Sequence, residues 1–333
     1  MKVGLIGTGM VAATHVAAIR GAGLQLAAVL GRDPARTARF AAEHGVDAVD
    51  DVSSVAQASD FVVLATPPDA REEIVRSLVA AGRPILSEKP LERDLGRAAR
   101  LVQMCDAAGL PFGAVLQHRM RPATLALRER LSRIGRIASV ELRVPWWRPE
   151  SYYDVPGRGT YGRDGGGVLI TQAIHALDLM LQFCGPVAEV RALTATTPLH
   201  RIEAEDFAAA ALRFRSGAVG SVMASVTHRP GAAEMLVLNG TDGSAWLEGN
   251  QLVITDGDGA SETIGTASAT GAGADPMDFG HAWHQAVITD FAMALRAGHA
   301  PVITARSALP VQALIDAIQA AGRSGRAEEV PDV

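Results

Sequence analysis

A glycine-rich turn near the N-terminus has the residue types and spacing that suit a dinucleotide cofactor. Residues 2–12 read Lys-Val-Gly-Leu-Ile-Gly-Thr-Gly-Met-Val-Ala, an apolar strand followed by the start of a helix. In this Gly-x-Gly-x-x-Ala pattern, Gly7 allows a tight turn, Gly9 lets the backbone approach a pyrophosphate, and Ala12 allows close helix–strand packing. The phosphates would lie at a helix N-terminus, which favours anions. We therefore expect cofactor contacts from Gly7, Thr8, Gly9, Met10 and Val11.

The end of the second predicted strand favours NADP(H) over NAD(H). The strand Leu24–Leu30 is followed by Gly31-Arg32, whereas NAD-binding units usually place an acidic residue there to bind the ribose. Asp33 before Pro34 is a good helix start, so its carboxylate has a structural explanation. Arg32, beside a glycine that leaves room, can face a 2′-phosphate. We expect Gly31 and Arg32 to contact NADP(H), with a solvated Arg32 and NAD(H) as the alternatives.

Lys89 is well placed for chemistry because it directly follows a buried strand, Pro84–Ser87, and precedes Pro90, which restricts its backbone. The adjacent Glu88 can pair with Lys89 or bind the cofactor. Another buried strand, Asp60–Ala65, ends at Thr66-Pro67. Because the carboxyl ends of parallel strands share one edge of a sheet, where ligands bind, we expect more cofactor contacts at this edge: Thr66, Pro67, Glu88 and Lys89.

The elements that carry these residues alternate regularly. Strand and helix patterns alternate about six times in residues 1–118, which predicts a doubly wound parallel sheet, an α/β Rossmann domain that binds the dinucleotide. Residues 119–333 contain longer, alternating strands separated by turn signals, which predicts an α+β substrate-binding and oligomerisation domain with a largely antiparallel open sheet. The predicted strands of that sheet are Ser139–Val144, Phe207–Phe214, Ala218–Val226, Glu234–Asn239, Ala245–Glu248 and Gln251–Thr255.

The closing part of the chain has a loop and two helical patterns. The small residues of Thr266–Asp275 predict a flexible loop. Helices are predicted near His281–Ala297 and Ser307–Ala321, and they can pack back on the first domain. An open sheet needs a cover over its exposed face, and a second subunit is one such cover. We therefore expect a homodimer or homotetramer that associates through the C-terminal sheet.

Composition excludes several classes of protein. The chain has 333 residues, a net charge of −5 and 48% apolar residues, so it has no basic field for nucleic acid. Cys105 and Cys184 are too few for a disulfide framework or a cysteine metal site. No signal peptide and no uninterrupted apolar run of membrane-spanning length is found. We expect a soluble cytoplasmic protein without a metal, because His281 and His284 have no third ligand beside them in the sequence.

The predicted second domain centres on Gly165-Gly166-Gly167, which ends a loop before a helix. Thr171, His175 and Asp178 fall on one face of that helix, at spacings of four and three. Gln172 is adjacent to this face. A histidine in such an apolar helix is by itself most often a core residue, so this pattern alone does not assign it a catalytic role.

Taken together, the Gly-Thr-Gly-Met turn, Glu88-Lys89-Pro90 and the triple glycine before His175 resemble the glucose–fructose oxidoreductase/inositol dehydrogenase (Gfo/Idh/MocA) family. The resemblance covers essentially the whole chain. It implies hydride transfer between a nicotinamide and a sugar or cyclitol carbon, with Lys89 touching both the cofactor and the reacting hydroxyl and His175 as the general acid/base. Imidazole has a suitable pKa for that task, and an ammonium group stabilises a developing alkoxide.

This chain departs from the family pattern at two positions. Cyclitol-type members carry Asp four residues before the histidine, where this chain has Thr171, which can only hydrogen-bond to substrate. Arg71 stands where a histidine is common, and we expect it to be structural.

An aromatic cluster indicates the substrate class. Residues 146–161 contain two tryptophans, three tyrosines and two arginines, which suit a sugar ring and an anionic group; packing of a loop or an interface is the alternative. The region is similar to the subgroup of the family that acts on nucleotide-linked sugars and uronates, and Arg119 resembles a family position near the substrate. The expected substrate contacts are Arg119, Tyr153, Arg158, Thr171, Gln172 and His175.

Two other functions remain open from the sequence. One is a reductase of a non-sugar substrate such as a dihydrodiol. The other is a catalytically inactive NAD(P)-sensing regulator, against which the presence of both Lys89 and His175 argues. A glycosidase would need paired carboxylates in the cleft, and no such pair stands out.

Overall fold

The computed structural model describes residues 1–266 and 271–333, and it divides into two compact units. The first unit comprises Met1–Gln117 and Gly280–Leu309, and the second unit comprises His118–Phe279 and Pro310–Val333. Residues 280–309 thus belong with the N-terminal segment, whereas the sequence places the main division at 118/119. The assignment of cofactor binding to one part and substrate binding to the other stays a prediction.

The N-terminal segment alternates strands and helices, as predicted. Its strands are β1 (Lys2–Ile6), β2 (Gln25–Leu30), β3 (Asp47–Ala48), β4 (Phe61–Leu64), β5 (Ile85–Glu88) and β6 (Phe112–Val115). Its helices are α1 (Ala12–Gly21), α2 (Pro34–His44), α3 (Val52–Ala58), α4 (Arg71–Ala80) and α5 (Leu95–Ala107).

The remaining elements follow in chain order. The helices are α6 (Pro122–Arg130), α7 (Tyr161–Asp164), α8 (Ile174–Cys184), α9 (Ala282–Ala297) and α10 (Leu309–Ser324). The strands are β7 (Ile137–Pro145), β8 (Val187–Ala195), β9 (Phe207–Phe214), β10 (Val219–Ser225), β11 (Met235–Gly240), β12 (Gly243–Glu248), β13 (Gln251–Asp256), β14 (Ser261–Gly265) and β15 (Glu328–Glu329).

The first unit is built on a six-stranded sheet in the order β3-β2-β1-β4-β5-β6, with every pairing parallel. This confirms the predicted doubly wound α/β fold. The predicted start of α2 is confirmed as well. The Asp33 carboxylate accepts a hydrogen bond from the Arg36 backbone N–H at 3.1 Å, and Pro34 is the first helical residue. Asp33 therefore has the capping role that the sequence indicated.

Helix α9 completes the first unit from the far end of the chain. It packs along α1 and places Phe291 against Phe61 of β4, with ring centroids 5.3 Å apart. Both rings are fully buried. Burial of two such rings removes a large apolar area from water, on the order of 150–250 Å² each. The N-terminal sheet therefore depends for part of its core on a residue 230 positions later in the chain, Phe291 against Phe61.

The second unit contains a nine-stranded sheet in the order β14-β13-β12-β11-β7-β10-β9-β8-β15. Its pairings are antiparallel except that of β7 with β10, which is parallel. The predicted antiparallel-rich sheet is confirmed, with one parallel pair added. Strands β8 and β14 were not predicted, because Glu189 and Arg191 interrupt the apolar pattern of β8 and β14 is a short polar edge strand.

Helix α8 is buried along almost its whole length and packs on β7 and β11. Contrary to the expectation that no apolar run reaches membrane-spanning length, the helical stretch Tyr161–Cys184 is long and apolar enough to cross a membrane by length and composition. However, 89% of its most apolar window is buried inside the protein, as in the core helix of a soluble protein. The stretch is therefore weak evidence for a membrane span.

The predicted loop Thr266–Asp275 lies in part outside the described residues, since residues 267–270 are not described. Within its described part, the Gly271 N–H donates to the Asp278 carbonyl at 3.0 Å. Buried Arg148 also donates to the carbonyl oxygens of Gly271 and Gly273.

Candidate active site

The glycine-rich turn of the first unit has the shape that a bound dinucleotide requires. Gly7 has a φ of +111°, and a Cβ there would lie 2.6 Å from the carbonyl oxygen of Ala65, so no other residue fits. A Cβ at Gly9 would meet no atom within 4 Å, which leaves open space above the turn. Helix α1 begins three residues later, at Ala12. The turn therefore fits the pyrophosphate of a nicotinamide dinucleotide.

The end of β2 approaches the same turn. A Cβ at Gly31 would lie 2.6 Å from the Thr8 hydroxyl oxygen and 2.4 Å from that of Thr37. The Asp33 carboxylate is occupied as the cap of α2. Arg32 is exposed beside them. At the end of β2, the first unit therefore presents the exposed Arg32 cation, while the Asp33 carboxylate is occupied by the backbone of α2. A cation without an available carboxylate beside it is the arrangement expected near a 2′-phosphate.

Arg71 fastens the two loops that follow β4 and β5. Its guanidinium is fully buried and donates to the Thr66 carbonyl oxygen from Nη2 at 2.6 Å and from Nε at 3.1 Å. Burial lowers the pKa of Arg71 to about 10, so it remains a cation at neutral pH. Its Nη1 donates to three further carbonyl oxygens, on both sides of Lys89: those of Glu88, Pro90 and Leu91. Arg71 is structural, as predicted, and the structure it maintains is the backbone around Lys89.

Two buried histidines, His15 and His284, lie against Glu88, the residue that precedes Lys89. Glu88 Oε1 lies 2.9 Å from His15 Nε2 and 3.8 Å from His284 Nε2, and Glu88 Oε2 accepts from the Lys89 backbone N–H at 3.1 Å. Burial alone would raise the pKa of Glu88. The hydrogen bond and charge of His15, with the nearby Lys89, outweigh burial and hold this pKa below its usual range. Glu88 is therefore an anion that holds the Lys89 backbone.

Burial lowers the pKa of His284 to about 3, and the charge of His15 adds to the effect. The folded protein therefore excludes a proton that the unfolded chain binds below its ordinary pKa of about 6.5. Accordingly, the free energy of unfolding should fall as the pH drops from about 6.5 toward 3, by up to about 1.4 kcal/mol per pH unit from this group. Urea unfolding of the protein between pH 7 and pH 4.5 measures the slope.

His284→Asn should reduce that slope, and His299→Asn, at an exposed residue after α9, should leave it unchanged. A His284→Asn variant with the full wild-type slope would show that another group is responsible for the acid sensitivity.

In the second unit, His175 lies near the start of α8, directly after a single π-helical turn, Leu169–Ala173. The sequence predicted an ordinary helix here; such π turns occur often at functional sites. The third glycine of the motif explains the close packing, because a Cβ at Gly167 would lie 1.8 Å from the Glu205 carbonyl oxygen. His175 is buried, and its ring stacks on that of His118 with centroids 4.4 Å apart.

A chain of polar contacts links the aromatic loop to this turn. The Thr171 hydroxyl donates to the Gly167 carbonyl oxygen at 2.6 Å and also contacts the Gln172 amide oxygen. Gln172 Nε2 donates to the Tyr152 hydroxyl at 3.4 Å. The Arg158 guanidinium lies 4.3 Å from the centre of the Tyr152 ring and donates to the Tyr152 carbonyl oxygen. The structure thus brings together Thr171, Gln172 and Arg158 of the predicted substrate residues, and adds Tyr152.

Two other predicted substrate residues have structural partners. Arg119 is buried and pairs with Asp178 through two hydrogen bonds, at 2.6 and 2.7 Å. Burial raises the pKa of Asp178, against the opposing effect of Arg119. The Tyr153 ring packs edge-on against His200, with centroids 5.2 Å apart, and burial raises its pKa. Their contact with substrate stays a prediction, although Arg119 directs its guanidinium to Asp178.

Sequence patterns did not indicate His118, which stacks on His175, or Arg121 and Glu234, which lie beside His118. Arg121 lies within hydrogen-bonding distance of His118 and pairs with Glu234. A usable signal existed, because the run Gln117–Arg121 begins two residues after the end of the buried strand β6, much as Lys89 follows β5. Within the described ranges of the chain, no group of three or more His, Cys, Asp or Glu residues is arranged to hold a metal ion.

Comparison with known proteins identifies the family to which the chain belongs. The profile "Oxidoreductase family, NAD-binding Rossmann fold" matches residues 1–114, and the profile "GFO/IDH/MocA C-terminal domain" matches residues 125–246. The chain therefore belongs to the Gfo/Idh/MocA family of NAD-binding oxidoreductases.

Among individual proteins, the chain is 25% identical to D-apiose dehydrogenase of Paraburkholderia graminis, over 99% of this chain and 89% of that one. It is 28% identical to inositol 2-dehydrogenase of Rhizobium meliloti, but this match spans only about half of each protein, 54% and 53%. The WlbA dehydrogenase of Bordetella pertussis, solved with NADH and UDP-GlcNAcA, is 29% identical and superposes with a TM-score of 0.85 over 100% of this chain and 99% of that one.

Proposed function

We propose that this protein is an NAD(P)-dependent dehydrogenase that transfers a hydride between the nicotinamide and a secondary alcohol or ketone of a sugar-like substrate. The observation that carries the proposal is the construction of the Lys89 loop. Arg71 holds the carbonyl oxygens on both sides of Lys89, and ionised Glu88 holds its N–H. A lysine fixed in this way beside the glycine-rich edge of a cofactor unit is suited to act on a bound substrate.

The roles of the residues follow from their chemistry. Gly7, Thr8, Gly9, Met10, Val11, Gly31, Thr66 and Pro67 would hold the cofactor, with Glu88 and Lys89 at the same edge. Bound NAD(P) supplies the acceptor for the hydride that leaves the carbinol carbon. The Lys89 ammonium stabilises the negative charge that develops on the substrate oxygen, and His175 accepts the hydroxyl proton. In the direction of reduction, His175 returns this proton to the oxygen.

A nucleotide-linked sugar or a uronate is the substrate class that we favour. Arg158 and Tyr152 offer a cation and an aromatic ring next to the amide of Gln172, which suit an anionic group beside a sugar ring. The similar WlbA dehydrogenase was solved with UDP-GlcNAcA. A cyclitol is less well matched, because Thr171 provides no charge where cyclitol-type members carry a carboxylate.

A fluorescence titration with NADH and NADPH, with and without sugars, uronates and nucleotide sugars, tests this proposal. We expect cofactor binding, a signal change specific to one sugar class, and turnover with that compound. Binding of a dihydrodiol-type compound instead would favour the non-sugar reductase. Cofactor binding without turnover on any compound would favour an NAD(P)-sensing regulator, and no binding of either cofactor would refute all three functions.

Arg32 supports a preference for NADP(H), although the family is described as NAD-binding and its similar WlbA member was solved with NADH. If the exposed guanidinium binds the 2′-phosphate, Arg32→Ala should raise the Kd of NADPH about tenfold to a hundredfold, as expected for a charge-assisted hydrogen bond. The Kd of NADH should hardly change. Arg39→Ala, on the exposed side of α2, is the matched control. Equal weakening of both cofactors by Arg32→Ala would remove the preference.

The open face of the second sheet supports a homodimer or homotetramer. Leu193, Ala209 and Met223 occupy neighbouring strands in one register row, and Trp246 on β12 is 46% exposed. Trp246→Glu should dissociate the oligomer to the 34.8 kDa monomer in sedimentation velocity. Met293→Glu, which changes an exposed methionine of the first unit, should leave the oligomer intact. A wild-type protein that already sediments as a monomer would contradict the proposal.

A further inference from the structure

The stacked pair of His118 and His175 is the least expected feature of the second unit. The two rings are inclined by only 25°, with centroids 4.4 Å apart, and both are buried. At this distance the face of one ring forms much of the surroundings of the other. The protonation state of His118 therefore acts directly on His175 in a medium of low dielectric constant.

Arg121 determines which nitrogen of His118 carries a proton. Arg121 Nη2 lies 2.6 Å from His118 Nε2. A guanidinium group only donates hydrogen bonds, so Nε2 must accept and cannot carry a proton. The ring proton is then on Nδ1, which faces Glu234 Oε1 at 3.8 Å. The geometry thus assigns His118 as a neutral imidazole in its Nδ1–H tautomer.

This assignment is fixed by the surroundings of Arg121. Arg121 is buried, pairs with Glu234, and donates to the Gly249 carbonyl oxygen at 3.1 Å. A second proton on His118 would set one N–H against another and place two cations side by side in the protein interior, which is costly. The charged groups at the His118 ring act in opposite directions: the Glu234 carboxylate attracts a proton to Nδ1, whereas the hydrogen bond from the Arg121 cation blocks Nε2 and keeps the ring neutral.

We propose that His118 is a positioning residue for the general base. Its neutral ring fixes the plane of His175 and stabilises the imidazolium that His175 becomes on accepting the substrate proton, because the face of a neutral aromatic ring attracts a cation. The inference rests on the proposed function, in which His175 is the base. During oxidation the proton passes from the substrate oxygen to His175, and His118 keeps its single proton throughout.

The tautomer can be tested without kinetics. Long-range ¹H–¹⁵N correlation spectra of the full chain with ¹⁵N-labelled histidine distinguish the two tautomers and the imidazolium, and His118→Phe assigns the signal. We expect His118 to remain an Nδ1–H imidazole between about pH 6 and pH 9. An Nε2–H tautomer, or titration to the imidazolium in this range, would overturn the inference whatever the protein catalyses.

Kinetics test the positioning role. His118→Ala should lower kcat by about a hundredfold, as expected for a misplaced catalytic group, and should move the pH limb that belongs to His175 to lower pH, with the Kd of NAD(P)H unchanged. His118→Phe keeps a ring face and should lower kcat less and shift the limb less. Wild-type kcat and pH profile in His118→Ala, or identical losses in both variants, would refute the role. If His118→Ala fails to fold, the kinetics of His118→Phe and the NMR spectra still test the positioning role.

Discussion

Replacing Lys89 with alanine should lower kcat by about a thousandfold, because the substrate oxygen loses the ammonium group that stabilises its developing charge. NAD(P)H should still bind, since the glycine-rich turn supplies the phosphate contacts independently of this side chain. The backbone of the loop should persist as well, because Arg71 and Glu88 hold main-chain atoms rather than the lysine side chain. Steady-state rates, together with a fluorescence titration of the cofactor, measure both effects.

Lys2 is the other lysine of the chain, and Lys2→Ala is the matched control, which should keep the wild-type kcat. Lys89→Arg retains the charge but changes its shape and position, and should recover only part of the rate. Unchanged turnover in Lys89→Ala would exclude this residue from the mechanism. Loss of cofactor binding instead would make Lys89 a cofactor anchor.

His175→Asn should lower kcat by about a hundredfold to ten thousandfold, the usual contribution of a general acid–base group. In the direction of oxidation the wild-type rate should rise with pH as His175 loses its proton, and in the direction of reduction it should fall. In the variant this limb should be missing from both profiles. Rates of both reactions measured across the pH range provide the comparison.

His228→Asn changes an exposed histidine of the second unit and should preserve both limbs. A limb that persists unaltered in His175→Asn would identify another base. The carboxylate of Asp178 is a poor candidate for that role, because Arg119 engages both of its oxygens.

Much of the fold could be predicted because it is encoded locally. The order of strands and helices in the first 117 residues follows from apolar runs and turn residues, and the Asp33-Pro34 start of α2 is a two-residue signal that the structure confirms. Strands β8 and β14 were not predicted, because charged residues interrupt the apolar pattern of β8 and β14 is a short polar edge strand. The π turn before His175 also has no local signature.

The site was predictable to the extent that its residues follow strand ends or glycines. Lys89 and His175 were singled out in this way, and their roles stay predictions. The residues that contact this loop and this histidine were not predicted. Glu88 contacts His15 and His284, which lie on helices far apart in the chain, and His118 stacks on His175 across 57 positions. Such pairings depend on tertiary structure, which a pattern along the chain does not record.

The contribution of residues 280–309 to the first unit has a consequence during synthesis. A nascent chain that has emerged only as far as Gln117 lacks Phe291 for its core and His284 beside Glu88. At typical elongation rates, residues 118–279 need roughly ten to thirty seconds more on the ribosome. Throughout this interval the N-terminal sheet exposes an apolar surface that α9 will later cover. Because Pro310–Val333 of the second unit emerge later still, neither unit is complete before the C-terminal part of the chain has been made, and the uncovered N-terminal sheet is a natural client for chaperones.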